Sequence, residues 1–452
     1  MTTATTANPA ETLPALAMEQ LARDAWSRDR LLAYQAGRLT QLLADAVVHS
    51  PYYLEALGPD AAGRPLGALP TLSKATLMDQ WDRIVCDRRL KRDEVAAHAA
   101  GEHAAAPYLG EYRVFSTSGA SGLRGLLVYS EAEWTAAMAV TMRAMIAAGA
   151  RPGERTVGIG APPGPHMSDR IYAGLRTRAD TPRLSALTPV DEMVAALNAY
   201  QPQILLGYPT VGALLAAEQL AGRLRIAPRM IAFGSEPLTA ETRERVQAAW
   251  GLDPGEYYST TEAPVIASST PAHPRALEIF EDEYVIEVVD EDDRPVPPGS
   301  AGAKVLVTNL QNRTLPLIRY ELADRVTVAA APNPAGRPYR HIEAIDGRTG
   351  DILTFPARAG GEVQVLPLRL GGPFARLPAV RQFQIVHAAG ALEIRVVLEP
   401  GAPDDTRDRV RAAVVAALDE AGAVPPAIAV VAVDRLEREG GGGAKLKLIV
   451  AR

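Results

Sequence analysis

Residues 115–125 read Phe-Ser-Thr-Ser-Gly-Ala-Ser-Gly-Leu-Arg-Gly, a segment rich in hydroxyl side chains and punctuated by glycines. It follows Val114-Phe115, an apolar pair that we predict to lie in a strand. A loop of this composition can turn several backbone N–H groups and hydroxyls toward one anion, which suits a polyphosphate. The chain contains no GxxxxGK(S/T) sequence, so this is not a Walker loop. Taken by itself, the segment fits a plain flexible turn equally well.

Outward from this loop, short apolar stretches alternate with longer helical patterns. We predict that the apolar stretches are strands: Val114-Phe115, Thr156–Ile159, Ile204–Leu206 and Met230–Phe233. We predict that the longer patterns are helices: Glu131–Ala148, Val190–Tyr200 and Ala240–Trp250. Alternation of this kind indicates an α/β fold with parallel strands joined by crossover helices.

The two flanks of this region have different patterns. Before it, apolar residues recur at helical spacing until Ser50-Pro51, where the residue before proline leaves the α region. After Ala276 the period changes to two, which predicts antiparallel strands around the turn-rich segment Asp290–Pro298. Beyond residues 346–350 we predict a small α+β unit in the order strand, strand, helix, strand: Gln382–Val386, Glu393–Leu398, Asp404–Glu420 and Ile428–Val433.

Composition excludes several classes of protein. The chain has 452 residues, with 47 basic and 53 acidic side chains and a net charge of −6, so neither nucleic acid nor an anionic membrane is an expected partner. Cys86 is the one cysteine, which rules out an intramolecular disulfide and a cysteine-based zinc cluster. No apolar run is long enough to span a membrane, and the N-terminus does not resemble a secretory signal. We therefore expect a cytoplasmic enzyme.

Three further segments could carry chemistry. In Gly234–Pro237 and Tyr257–Glu262, a tyrosine four residues before a carboxylate could stack on a flat base and help to hold Mg²⁺ against phosphates. Tyrosines at strand ends are, however, usually half-buried packing residues. Asp324, after Pro316–Tyr320, could accept hydrogen bonds from ribose hydroxyls, although a surface salt bridge to Arg319 or Arg325 is at least as good an interpretation. The glycines of Gly440–Lys447 could form a tether that delivers an ammonium, or a solvated terminus.

One apparent motif does not support its usual function. Residues 158–164 read Gly-Ile-Gly-Ala-Pro-Pro-Gly, which faintly resembles a dinucleotide-binding loop. Pro162-Pro163 removes backbone donors where a helix N-terminus should supply them, so we reject that interpretation. His166, in the loop that follows, could line a pocket, although such a histidine is more often simply exposed.

Taken together and in this order, these segments resemble the adenylate-forming superfamily, and within it the phenylacetate–CoA ligase family. The resemblance covers nearly the whole chain and is carried by a series of motifs: His49–Tyr53, Leu69–Lys74, Thr117–Gly122, Gly234–Pro237, Tyr258–Glu262, Pro316–Asp324, Gly347–Asp351 and Gly443–Lys445. It implies a large N-terminal adenylate-forming domain over residues 1–346, built of parallel sheets with crossover helices and a small β-barrel-like part. It also implies a small mobile α+β domain over residues 347–452.

The resemblance implies a role for each matching residue. The β- and γ-phosphates of ATP would be held by Thr117, Ser118, Gly119, Ser121 and Gly122. The adenosine would be held by Ser235, Glu236, Pro237, Tyr258, Asp324 and Arg348. Thr261 would contact the α-phosphate, Glu262 would bind Mg²⁺, and Asp351 would be the hinge about which the small domain rotates. Lys445 would be the catalytic lysine, with Lys447 as the alternative.

The substrate pocket and the zinc site are less well marked. Candidate pocket residues are His166, Tyr208 and Phe233. Some relatives hold zinc with cysteines, but Ser268 and Ser269 stand where these would be expected and only His273 remains, so we predict no zinc.

The implied reaction is ATP-dependent adenylation of a small carboxylic acid, expected to be aromatic, followed by transfer to CoA as a thioester. Residues 360–370 lack the acidic residue that usually follows the proline of this segment, which motivates a second interpretation with a carrier-protein thiol or an amine as acceptor. A third is a non-catalytic nucleotide-binding protein. A homodimer is possible, since dimers are common among the relatives.

Overall fold

The computed structural model describes residues 9–101, 103–117, 124–176, 178–348, 353–365, 370, 377, 379–388, 390–398, 400–436 and 449–451. The helices are α1 (Pro9–Ala22), α2 (Arg28–His49), α3 (Pro51–Leu57), α4 (Lys74–Asp79), α5 (Trp81–Ile84), α6 (Arg92–Ala100), α7 (Glu131–Ala147), α8 (Met167–Gly174), α9 (Val190–Tyr200), α10 (Pro209–Leu220), α11 (Ala240–Trp250) and α12 (Thr406–Glu420). In this part of the chain no helix is both long and apolar enough to cross a membrane.

The strands follow the same chain order. They are β1 (Tyr112–Ser116), β2 (Leu126–Ser130), β3 (Thr156–Ile159), β4 (Ile204–Gly207), β5 (Met230–Gly234), β6 (Gly255–Tyr258), β7 (Ala267–Thr270), β8 (His273–Ile279), β9 (Tyr284–Val289), β10 (Lys304–Asn309), β11 (Tyr320–Leu322), β12 (Asp324–Val328), β13 (His341–Arg348), β14 (Leu353–Pro356), β15 (Glu362–Val365), β16 (Val380–Ala388), β17 (Ala391–Leu398), β18 (Ala427–Ala432) and β19 (Ile449–Ala451).

An eight-stranded mixed sheet, in the order β12-β13-β8-β7-β6-β5-β4-β3, forms the centre of the fold. Strands β3 to β6 are parallel, as the alternating pattern predicts, and the remaining pairs are antiparallel. Leu206 and Ala232 belong to one hydrophobic cluster, whereas Leu205 and Ile231 belong to another. Because successive residues of a strand point to opposite faces, the parallel part of the sheet is buried on both sides.

The strand that precedes the hydroxyl-rich loop corrects one prediction. Val114-Phe115 lies in β1, which does not join the parallel sheet but pairs antiparallel with β2, Tyr112 opposite Ser130. A connection as short as residues 117–125 can join antiparallel strands, whereas a parallel pair needs a longer crossover. The loop therefore connects the two strands of a hairpin. The backbone N–H of Ser116 donates to the carbonyl of Pro165 at 2.8 Å, which holds the hairpin beside the loop after β3.

The period-two region contains antiparallel strands. Strands β9 and β10 are antiparallel, as predicted, with Val288 opposite Val305. The described strands form a three-stranded sheet in the order β11-β10-β9, whose outer strands do not pair with each other. The segment before β10 also bonds to β12, where the N–H of Gly302 donates to the carbonyl of Val326 at 3.1 Å. The β-barrel-like part that the resemblance implies stays a prediction.

The last hundred residues contain the predicted strands and helix. They form a sheet in the order β18-β17-β16-β19, and α12 packs with its own hydrophobic cluster, which includes Val396, Val410 and Val414. A separate core is what a small independent unit needs. The division into domains at residues 346 and 347 stays a prediction.

A buried cluster of ion pairs connects the N-terminal helices to the rest of the fold. Asp282, which has no exposed surface, accepts from Arg143 at 2.8 Å and from Arg23 at 3.1 Å. Arg143 also donates to Asp24 at 2.6 Å and is 1% exposed. Buried charges are tolerated only when they are paired in this way. The cluster therefore ties α7 and the segment after α1 to the loop between β8 and β9.

Candidate active site

A cavity of about 1000 Å³ opens at the carboxyl ends of the parallel strands. This edge of an α/β sheet is where such folds bind ligands, because loops from several strands meet there. Ten of the predicted site residues line the cavity: Thr117, His166, Tyr208, Ser235, Glu236, Pro237, Tyr258, Thr261, Glu262 and Asp324. They come from segments as far apart in the sequence as Thr117 and Asp324, so the fold brings together what the sequence shows as separate motifs.

The turn after β5 has an unusual backbone. Ser235 adopts a left-handed conformation with φ of +66°, which costs a non-glycine residue on the order of 1–2 kcal/mol. Its hydroxyl pairs with that of Ser259 at 2.9 Å, so the turns after β5 and β6 are joined. The Glu236 carboxylate accepts from the backbone N–H of Thr210 at 3.2 Å and from its hydroxyl at 2.8 Å. This strained and cross-linked turn lines the cavity.

The two residues predicted to hold the nucleoside are in contact. The Tyr258 hydroxyl donates to Oδ2 of Asp324 at 2.9 Å, and both residues are buried. Asp324 opens β12 and lies opposite Arg348 in β13, so the backbones of these two predicted ribose residues are neighbours. The side chain of Arg348 is outside the described part. Arg319, one candidate for a salt bridge to Asp324, instead pairs with Glu287 at 3.1 Å.

Glu262 presents a carboxylate at the cavity wall although the residue is only 8% exposed. The Tyr320 hydroxyl donates to its Oε1 at 3.2 Å. Its backbone carbonyl accepts from Tyr129 and from the amide of Asn309, each at 3.1 Å. These contacts anchor the backbone of residue 262 and one oxygen of its carboxylate. A single fixed carboxylate suits Mg²⁺, which usually takes one or two protein carboxylates and completes its shell with phosphates and water.

Lys74 is a site residue whose role the sequence analysis did not assign. Its Nζ donates to Oγ1 of Thr117 at 2.9 Å, and that oxygen also accepts from the backbone N–H of Gly125 at 2.7 Å. A Cβ on Gly125 would lie 3.2 Å from Cε of Lys74, so the absence of a side chain there leaves room for the lysine. Lys74 is the first residue of α4, where a cation opposes the helix dipole. A lysine at the start of a predicted helix is therefore a feature of the sequence that could have marked Lys74 as a site residue.

The substrate-pocket prediction is corrected at Phe233. Tyr208 and His166 line the cavity, but Phe233 does not. Phe233 is 1% exposed and packs on Gly212 of α10, where a Cβ would come within 2.2 Å of its ring. Residues alternate between the two faces of β5, and Phe233 points to the face opposite Ala232, which does line the cavity.

Several predicted residues lie outside the described part of the chain. They are Ser118, Gly119, Ser121, Gly122, Asp351, Lys445 and Lys447. Ser268 and Ser269, which stand where relatives carry cysteines, line the cavity and are buried. Among the described residues, no three His, Cys, Asp or Glu side chains cluster as a metal-binding group.

Comparison with known proteins gives distant relatives over most of the chain. No protein-family model matches it. It is 26% identical over 380 residues to a phenylacetate-coenzyme A ligase of Thermus thermophilus, covering 79% of this chain and 78% of the relative. A phenylacetate-coenzyme A ligase of Aromatoleum evansii is 24% identical over 353 residues, 72% of each chain.

Solved structures show the same fold. The structure of 2-hydroxyisobutyryl-CoA ligase in the postadenylation state with 2-HIB-AMP superposes with a TM-score of 0.72, at 22% identity over 92% of this chain and 89% of that chain. The same ligase with 2-HIB-AMP and CoA in the thioesterification state gives a TM-score of 0.59 at 22% identity, over 95% of this chain and 91% of that chain.

Proposed function

We propose that this chain, a phenylacetate–CoA ligase-like member of the adenylate-forming superfamily at distant homology, is an AMP-forming acid–CoA ligase. One observation carries the proposal: residues of the predicted phosphate, adenine, ribose and metal motifs, far apart in the sequence, line a single cavity. The substrate is a small carboxylic acid, and an aromatic one is the first class to test.

The first half-reaction forms an acyl-adenylate. A carboxylate oxygen of the acid attacks the α-phosphorus of ATP, and pyrophosphate leaves. Tyr258 stacks on the adenine beside the turn of Ser235, Glu236 and Pro237, while Asp324, helped by Arg348, accepts hydrogen bonds from the ribose hydroxyls. Because both reactants are anions, groups that offset negative charge at the α-phosphate lower the barrier most.

The cationic and hydroxyl groups of the chain supply that charge compensation. Thr117 contributes to the cradle for the β- and γ-phosphates, together with Ser118, Gly119, Ser121 and Gly122 of the same loop. Thr261 contacts the α-phosphate, and Lys445 places its ammonium there. Mg²⁺, held by Glu262, would neutralise phosphate charge when bound. The fixed, cavity-facing carboxylate of Glu262 is a suitable ligand.

The second half-reaction transfers the acyl group. The thiol sulfur of CoA attacks the acyl carbonyl carbon, the thiol proton passes to solvent, and AMP leaves. In this proposal the C-terminal unit turns about Asp351, which withdraws Lys445 and admits the thiol. A carrier-protein thiol or an amine remains the second candidate acceptor, because residues 360–370 differ from the family pattern.

The acceptor is identified by incubating the full chain with ATP, MgCl₂, CoA and a panel of benzoic, phenylacetic, cinnamic and heteroaromatic acids. We expect AMP and acyl-CoA to appear together and in equal amounts. Acid-dependent AMP release without acyl-CoA would favour the other acceptors. Omitting the acid is the control, since ATP hydrolysis alone also yields AMP or ADP.

Lys445→Ala should lower acid-dependent ATP–pyrophosphate exchange by at least about 10²-fold, as the loss of one preorganised charge-stabilising group does. Lys447→Ala, two residues away, is the matched control and should retain most of the exchange. The reverse outcome would assign catalysis to Lys447. Wild-type chain with no exchange for any acid would leave the non-catalytic nucleotide-binding alternative in place.

Lys74→Met should raise the KM for ATP about 10- to 100-fold, because a charge-assisted hydrogen bond contributes about 1.5–3 kcal/mol. The expectation rests on the Lys74 ammonium, which lies 2.9 Å from Oγ1 of Thr117 at the start of the phosphate loop. The measurement is steady-state exchange at varied ATP. Lys91→Met, which removes an exposed ammonium, is the control. Equal KM values in the two variants would remove Lys74 from the nucleotide site.

A further inference from the structure

Two tyrosine rings lie flat against bare backbone at the wall of the cavity. Tyr172 of α8 covers β3 and the residue after it: a Cβ on Gly158 would lie 2.4 Å from its Cγ, and one on Gly160 would lie 2.7 Å from its Cε2. Neither glycine has a positive φ, so both are required by this close approach. The glycines of the apparent dinucleotide motif are thereby explained, since they seat an aromatic ring.

The ring of Tyr257, in β6, also packs directly against the backbone of a glycine. A Cβ on Gly234 would come within 2.3 Å of its ring. Its hydroxyl reaches across to β4 and donates to the carbonyl of Gly207 at 3.2 Å. Tyr172 and Tyr257 both line the cavity. Together the two rings cover the carboxyl ends of β3, β4 and β5.

The two hydroxyl oxygens meet at 2.5 Å. Since Tyr257 donates to Gly207, the proton between the two phenols comes from Tyr172. Both phenol protons then form hydrogen bonds within the protein. The Tyr172 oxygen can still accept a hydrogen bond. Burial raises the pKa of Tyr172 well above its ordinary value, and burial also raises the pKa of Tyr257, so both remain neutral phenols.

This pair distinguishes ligand groups by their hydrogen-bonding capacity. A hydroxyl or aromatic amino group can donate to the Tyr172 oxygen. A second carboxylate offers only acceptors to a wall whose phenol protons are already committed, and it would be buried unpaired at high cost. An unsubstituted apolar group has no polar atom that needs a partner, but it gains no hydrogen bond from the tyrosine pair. If the pair served packing alone, phenylalanine would fill the same space.

We propose that the Tyr172–Tyr257 hydroxyl pair selects, as substrate of the proposed ligase, a carboxylic acid that carries a second, uncharged hydrogen-donating group, a hydroxyl or an aromatic amino group. That the substrate is a carboxylic acid rests on the proposed function. That it carries a hydrogen-donating group rests on the geometry of the tyrosine pair. Tyr172 and Tyr257 are thus specificity-determining residues of the acid site.

The test measures kcat/KM for acid-dependent ATP–pyrophosphate exchange with the full chain. The acids are benzoate, its three hydroxy and three amino isomers, and isophthalate as the probe with a second carboxylate. We expect the best hydroxy or amino acid to exceed benzoate by at least about tenfold, and isophthalate to be the poorest, because a site built around a hydrogen bond rejects analogues that lack it.

In Tyr172→Phe the preference over benzoate should fall at least about tenfold, because the accepting oxygen is lost. Tyr257→Phe frees the Tyr172 proton for a ligand, so the discrimination against isophthalate should fall in that variant. Tyr200→Phe is the matched control. Its buried hydroxyl pairs with Thr181 at 3.0 Å and does not line the cavity, so the preference should be unchanged. Thermal denaturation of each variant shows whether it is folded.

A second readout separates this inference from the proposed function. Equilibrium dissociation constants of the same acids, measured by ligand-observed NMR without ATP, should show the same preference and the same loss in Tyr172→Phe. Absence of exchange with an intact binding preference would overturn the ligase proposal but support the pair as a selectivity element. A preference absent from the wild-type chain, or unchanged in both tyrosine variants, would overturn the inference.

Discussion

Glu262→Gln is expected to lower kcat for acid-dependent ATP–pyrophosphate exchange by about 10³-fold, the upper end of the cost of one charge-stabilising group. The change is nearly isosteric. The glutamine carbonyl oxygen can still accept from the Tyr320 hydroxyl, as Oε1 of Glu262 does at 3.2 Å. The backbone contacts of residue 262 with Tyr129 and Asn309 do not depend on its side chain. The substitution removes the negative charge that would bind Mg²⁺.

The measurement is exchange at varied MgCl₂, with nucleotide binding followed separately. We expect the Mg²⁺ concentration for half-maximal exchange to rise in Glu262→Gln while the chain stays folded. Glu287→Gln is the control, because it also neutralises a largely buried carboxylate, paired with Arg319 at 3.1 Å, but away from the cavity. Wild-type exchange and Mg²⁺ dependence in Glu262→Gln would remove this residue from the metal site.

Arg143→Met is expected to destabilise the fold by about 3–5 kcal/mol, because removing one member of a buried charge cluster strands its partners. The Arg143 guanidinium is 1% exposed and contacts Asp282 at 2.8 Å, Asp24 at 2.6 Å and the Tyr339 hydroxyl at 2.5 Å. Methionine fills part of the volume but supplies no donor. Asp282 would then keep Arg23, at 3.1 Å, as its one ion-pair partner among the described residues.

Urea denaturation followed by circular dichroism measures this loss as a lower midpoint of the transition that involves the N-terminal helices. Arg294→Met is the control. Its ion pair with Asp292 joins side chains that are 74% and 67% exposed, and such pairs contribute at most about 1 kcal/mol. Adding Asp282→Asn to Arg143→Met should restore part of the stability, since it removes the stranded charge. An unchanged midpoint in Arg143→Met would show that the cluster does not hold the helices.

Local patterns were sufficient for most of the secondary structure. The helix predicted over Val190–Tyr200 has those bounds in the structure, and Thr156–Ile159 is the strand expected. Each pattern reports burial of one face or both, which is why period and length alone could place these elements. The strand predicted at Val114-Phe115 is present, but it was expected in the parallel sheet and instead pairs with β2. Its own sequence could not show this, because pairing depends on the strand that follows the loop.

The candidate site shows the same difference between what local sequence predicts and what tertiary contacts decide. Resemblance to the motifs of a known family was enough to select Tyr258, Glu262 and Asp324, and the structure places all three at the cavity. It was not enough for Phe233, whose face of the strand is set by the register of the sheet. It also missed Tyr172, because a tyrosine in a short helix looks like ordinary core until the glycines beneath it are seen.

The sequence by itself determined the kind of protein: its elements, its composition and the motifs that resemble a nucleotide-using ligase. These are properties of short segments, and short segments carry their own physical preferences. Only the tertiary structure decided which side chains meet. The contact of Lys74 with Thr117, the hydrogen bond between Tyr258 and Asp324, and the phenol pair at the cavity wall each join elements distant in sequence. Such contacts depend on how whole sheets and helices pack, which no local pattern encodes.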